Sequence, residues 1–153
     1  MDDIATLKAE AAGLVFSAFT EDTALELGLA LVALAQADAL PVVIDIRTAD
    51  RTLFHAALPG AAPLNDLWAQ RKSATALMFQ KASMLVGLEG AAKGQTLAIH
   101  GLDPTRYADH GGAVPVQVAG VGVVAVATVS GLPQRDDHAL VVQAMRQVLA
   151  KAG

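Results

Sequence analysis

The chain has 153 residues, with 11 Lys and Arg against 15 Asp and Glu and hence a net charge of −4. With 54% hydrophobic and 17% charged residues, it is too apolar for a disordered chain, and its mild acidity argues against a nucleic-acid binder driven by phosphate contacts. Cysteine is absent, which removes disulfide frameworks, thiolate zinc sites, iron–sulfur clusters and cysteine nucleophiles together.

One domain, residues 1–153, is expected at this length. The opening Met1-Asp2-Asp3-Ile4 lacks a basic region followed by an apolar core, so a cytoplasmic address is expected. The most apolar stretch, Ala113 to Val129, is interrupted by Pro115, Gln117, Gly120 and Gly122. It reads as two short strands, and no membrane segment is expected. So small a chain with this apolar content has more hydrophobic side chains than a monomer readily hides, which points to a homo-oligomer, although much of the excess is alanine.

Asp2 to Ala12 suits a short opening helix, and Leu14 to Phe19 a brief extended segment. Thr20, Glu21 and Asp22 supply a cap and first-turn acids for a helix apolar around most of its circumference, expected to be central. After Pro41 the β-branched run Val42 to Arg47 predicts a strand, turned at Ala49-Asp50 into a second, Thr52 to Leu58. Asn65 is expected to cap a long helix running to about Val86, ended by Gly87 and Gly90. An irregular stretch follows from Lys93 to Gly112. Val114–Val118 and Val121–Val129 form a second hairpin, and Pro133 opens the last helix, with Asp136 and Asp137 in its first turn. The order helix, hairpin, helix, hairpin, helix predicts an α+β domain: an antiparallel sheet with helices packed on it.

Two segments concentrate chemistry. Gly101 to Pro115 carries the single Tyr, Tyr107, with His110 and the pair Gly111-Gly112. It reads either as a well-made surface loop or as a loop presenting His110 and bare amides to a ligand. Ser130 to His138 joins a strand end to a helix start, where unpaired amides suit a small anion, although Asp136 and Asp137 already complement the dipole there. Asp137 and His138 are sequence neighbours on a helix and point to different faces. Arg71 and Lys72 sit two turns inside the long helix and invite a ligand carboxylate or phosphate, or else Asp66 or a neighbouring subunit. Trp68 and Phe79 share a face with Lys72 and Thr75 and read as core or interface.

His55, His100, His110 and His138 have no ligand-like short spacing, so no metal site is expected. There is no G-x-S-x-G around Ser130, no Walker A lysine and no G-x-G-x-x-G. Hydrolysis by Ser130 with His138 would lack a nucleophile elbow, and no residue is assigned a catalytic role.

Taken together, Trp68 with Arg71-Lys72, the run from Gly101-Leu102-Asp103-Pro104 to Tyr107, His110-Gly111-Gly112, Pro115, and Ser130-Gly131-Leu132-Pro133-Gln134 ending in Asp137-His138 resemble the UPF0303 family, within the larger group of haem-degrading (DUF336, GlcG/HbpS-like) domains. The resemblance covers nearly the whole chain. It implies a three-layer αβ domain with a central antiparallel sheet, assembly into homo-oligomers, and haem as one candidate ligand. No haem axial ligand is carried over from the family.

Two functions follow as expectations. One is binding of a small anionic ligand in a pocket bordered by Arg71, Lys72, Tyr107, His110, Gly111, Gly112, Ser130 and His138, with the imidazoles ligating and the cations pairing carboxylates. The other is a non-catalytic assembly or adaptor protein whose polar motifs shape loops and subunit contacts.

Overall fold

Asp3 accepts the amide of Thr6 at 2.7 Å and caps α1 (Ile4–Ala12) in the computed structural model, which describes residues 3–152. Asp2, included in the expected opening helix, lies outside the described residues. The extended segment that follows contracts to β1 (Val15–Phe16).

Thr20 caps α2 (Glu21–Ala37) reciprocally with Thr23, each hydroxyl accepting the other's amide, at 3.4 and 3.1 Å. Ala24, Leu27, Gly28, Leu31 and Ala35 form its buried stripe at helical spacing. Leu25 and Leu29 face outward, so α2 flanks the sheet and is not the central helix its composition suggests. The two hairpins form as expected: β2 (Val43–Arg47) with β3 (Thr52–Ala57), and β4 (Ala113–Val118) with β5 (Gly122–Ser130).

The long helix departs from expectation. It begins at Pro63, two residues before Asn65, and Asn65 caps from inside by accepting the Ala62 amide at 2.9 Å. It is two helices, α3 (Pro63–Phe79) and α4 (Ser83–Ala92), separated by Gln80 in the left-handed region. The break lets Ser83 turn inward, where its hydroxyl accepts the Ala113 amide at 3.1 Å. Gly87 and Gly90 lie within α4 instead of ending it. At Gly87 a Cβ would collide with the Asp109 carbonyl, so glycine here serves a close approach of the loop to the helix. Between α4 and β4 the chain is irregular apart from one 3-10 turn, Leu97–His100. α5 (Gln134–Ala152) closes the fold.

The sheet runs β1-β4-β5-β2-β3. Its four hairpin strands are antiparallel, and β1 adds a short parallel edge on β4. Period-two alternation divides the strands. Val42, Ile44, Ile46, Val114, Val116, Ala125, Ala127 and Val129 pack in the main core with α2 and α5. Ala113, Val126 and Thr128 face α3, whose Ala76 and Ser73 are small enough for close packing, with Ser73 Oγ 2.7 Å from Thr128 Oγ1. The result is three layers, with α3 on one side of the sheet and α2 with α5 on the other.

Candidate functional site

The end of β5, the loop before α5, the His110-Gly111-Gly112 turn and the middle of α3 meet at one corner of the sheet. Lys72 lies on the sheet-facing stripe of α3, between Ala69 and Ala76, and is buried. Its Nζ donates to the Gly111 carbonyl at 3.0 Å, the Val129 carbonyl at 2.8 Å and Asp137 Oδ2 at 3.1 Å. These are three acceptors for the three protons of an ammonium. Asp137, one turn into α5, also receives the Leu132 amide on Oδ1 at 2.9 Å and the Gly131 amide on Oδ2 at 3.3 Å.

Burial pushes the Lys72 ammonium below the usual lysine range, against the attraction of Asp137. Burial likewise pushes the Asp137 carboxyl above the usual carboxylate range, against Lys72 and the two amides. Gly112 has φ 138°, and a Cβ there would run into Lys72 Nζ and the Val129 carbonyl. Its role is to let the ammonium in. Gly111 is anchored from its other side by its amide, which donates to Gln134 Oε1 at 2.8 Å. The Gly111, Gly131 and Leu132 amides are therefore already taken by Gln134 and Asp137.

Outside this lock lies a cleft of about 250 Å³, bordered by Asn65, Trp68, Lys72, His110, Gly111, Ser130, Gly131, Leu132, Gln134 and Asp137. His110 stands on its rim with 54% of its side chain exposed, edge-on to Trp68 with ring centroids 5.1 Å apart. The Arg71 guanidinium lies 4.5 Å over the Trp68 ring and donates to the Pro104 carbonyl at 2.7 Å. Its Nε is buried with no hydrogen-bond partner among the described residues.

Of the eight residues expected around one pocket, Lys72, His110, Gly111 and Ser130 border this cleft. Arg71 stands behind it through Trp68. Gly112 lies beneath Lys72, and Tyr107 sits half-buried in the preceding turn with its amide on the Asp103 carbonyl at 3.1 Å. His138 does not join them. It turns to the other side of α5, where Nε2 meets Glu10 Oε1 at 2.6 Å, and it borders a different cleft from Ser130. The two remaining imidazoles are also elsewhere. His55 bridges Asp45 and Asp66 at 2.8 and 3.0 Å, and His100 packs edge-on to Phe79. Among the described residues no three His, Asp or Glu side chains are grouped to hold a metal ion, and no helix is long and apolar enough to cross a membrane.

Three participants escape the sequence reading. Trp68 borders the cleft where core or interface was expected, Asp137 is a buried ion-pair partner where an ordinary first-turn acid was expected, and Gln134 ties down the Gly111 turn. A signal for Asp137 was present: it is in helical register with the apolar Val141, Ala144 and Val148, all buried.

A family model described as "Haem degrading protein HbpS-like" matches residues 19–146. The chain belongs to this family. Within it, the chain is similar to a UPF0303 protein of Streptomyces coelicolor, 50% identical over 97% of this chain and 94% of that protein. The crystal structure of the Ybr137w protein superposes with a TM-score of 0.87 at 30% identity, covering 98% of this chain and 89% of the other. The crystal structure of HbpS gives a TM-score of 0.68 at 25% identity, over 86% and 89%. The family's three-layer αβ fold and this chain's place among the UPF0303 relatives thus agree with what the motifs imply.

Proposed function

We propose that the chain is a cytoplasmic, homo-oligomeric domain that binds a small anionic ligand, with haem as the candidate supplied by the family description, at the cleft beside His110-Gly111-Gly112 and Ser130–His138. The observation that carries this reading is the exposed His110 imidazole on the cleft's rim, edge-on to Trp68, with the Arg71 guanidinium stacked on the same Trp68 ring behind the cleft.

The donor set fits haem. His110 would approach the iron and Arg71 a propionate, with Trp68 as an apolar flank; bound haem would supply a redox-active iron. Lys72 is excluded from pairing a propionate because all its protons are used. A cleft of about 250 Å³ lies below the ~300–1,000 Å³ usual for drug-sized ligands, so a second copy of the chain would cover the rest of the macrocycle. The outward-facing Leu64 and Leu67 on the first turns of α3, next to the cleft residues Asn65 and Trp68, support such assembly.

A haemin titration followed by the Soret band tests the reading, with light scattering on the same sample. Saturation at a fixed ratio per subunit, at least tenfold weaker binding in Arg71→Ala, and a mass above the 15.7 kDa monomer are expected. Weak, unsaturable binding unchanged in Arg71→Ala would overturn it. One observation favours the alternative of a non-catalytic assembly or adaptor protein: Lys72, Asp137, Gln134 and the Gly111 turn satisfy one another. Absence of haemin saturation with an intact oligomer would select that alternative.

A further inference from the structure

β3 is an edge strand of the sheet, and on it His55 stands opposite Asp45 of β2 in register. Asp45 is 1% exposed although it is charged. Arg47, two residues along β2, donates to it from Nε and Nη2 at 2.6 and 2.7 Å. This two-pronged bond fixes the carboxylate and offsets its charge.

His55 joins the pair to α3. Its Nδ1 lies 2.8 Å from Asp45 Oδ2 and its Nε2 3.0 Å from Asp66 Oδ1. A carboxylate only accepts, and a neutral imidazole carries a single N–H, so the neutral ring donates to one carboxylate and turns a lone pair toward the other. Both bonds together need the imidazolium. With the ring charged, Arg47 and His55 balance Asp45 and Asp66; without its proton the cluster is left with a net negative charge. The bond to Asp45 ends on a buried oxygen already held by Arg47, whereas Asp66 is 35% exposed. The outer bond, to Asp66, is therefore the one that opens when the proton leaves.

Asp66 belongs to the first turn of α3. Leu64 and Leu67 beside it face outward, and the Asn65 side chain bonds back to the Ala62 amide, so Asp66 supplies this turn's side-chain hydrogen bond to the sheet. Asn65 and Trp68, on either side of it, border the cleft described above. The charged groups around the His55 ring are Asp45 and Arg47 from β2 and Asp66 from α3; at the β2–β3 turn Arg51 pairs with Glu21 of α2 at 3.6 Å.

We propose that Asp45, His55 and Asp66 form a pH-operated clasp between the sheet edge and the start of α3. The imidazolium holds the first turn of α3 against β3, and the neutral ring releases Asp66 and with it the turn that carries Asn65 and Trp68. The hold is present while the ring is protonated and is lost as pH rises through the ring's titration. It does not depend on which ligand the cleft takes.

Trp68 is the single tryptophan and lies two residues after Asp66, so its emission reports on the turn. Because the His110 ring also meets Trp68, the pH titration is run on the full chain carrying His110→Ala, with the His55 ring nitrogens followed by NMR. The expected result is a change in Trp68 emission with the same midpoint as the His55 ring, abolished by adding His55→Gln. Adding Asp66→Asn should abolish it as well, because a carboxamide accepts from the charged ring and donates to the neutral one, holding the turn in both states. A Trp68 change that survives either substitution, or constant emission while the His55 ring titrates, would overturn the clasp.

Discussion

Lys72 and Asp137 meet at 3.1 Å across the corner where α3, β5 and α5 converge; Asp137 and the Gly111 and Val129 carbonyls take every proton of the ammonium, while the Gly131 and Leu132 amides donate to the carboxylate. The residues that look most like an anion site in the sequence are therefore a structural lock. On the proposed reading, ligand chemistry at this corner falls to His110 on the rim, beside Trp68 and the Arg71 guanidinium stacked on it.

Breaking the lock from one side leaves an uncompensated buried charge. Asp137→Leu or Lys72→Met should each lower unfolding stability by about 3–5 kcal/mol, and the two together should recover part of the loss. Urea denaturation of the four proteins checks this. Additive losses in the double variant would show that the two side chains are not coupled.

Gly87 offers a test of sign. In an exposed helix Gly→Ala stabilises by roughly 0.5–1 kcal/mol, but here the added Cβ meets the Asp109 carbonyl. Gly87→Ala should lower the thermal midpoint, and a rise would mean that the Lys93–Gly112 loop does not lie against α4.

The pH response follows from Asp137. Its carboxyl is pushed above 3.8 chiefly by burial, so the folded protein takes up that proton at a higher pH than the unfolded chain. The stability contributed by this group is fully present below 3.8 and is lost as pH rises through the folded value. Carboxyl-detected NMR titration should place Asp137 above ordinary aspartates, and Lys72→Met, which removes the opposing cation, should move it further up. A midpoint below 3.8 would contradict the burial argument.

Much of the fold was legible because its signals are local. Thr20 ahead of Glu21 and Asp22 marks a helix start, and the β-branched run through Ile44 and Ile46 marks a strand buried in the sheet. The break between α3 and α4 was not legible: Gln80 is no breaker, and its left-handed backbone answers to Ser83 docking on Ala113, 30 residues away. The site was legible in its members more than in its grouping. His110, Gly111, Ser130 and Lys72 do gather, but the Lys72–Asp137 bond spans 65 residues and His138–Glu10 spans 128, and a local dipole explanation for Asp137 was sufficient without either.

The most direct test of the account compares haemin affinity in His110→Ala and Lys72→Met, with folding of each verified by circular dichroism. At least tenfold weaker haemin binding with a shifted Soret band in His110→Ala, and near-unchanged affinity in Lys72→Met despite its lower stability, is the predicted result. The reverse pattern, with Lys72→Met losing haemin and His110→Ala keeping it, would contradict the assignment of Lys72 to structure and His110 to the ligand.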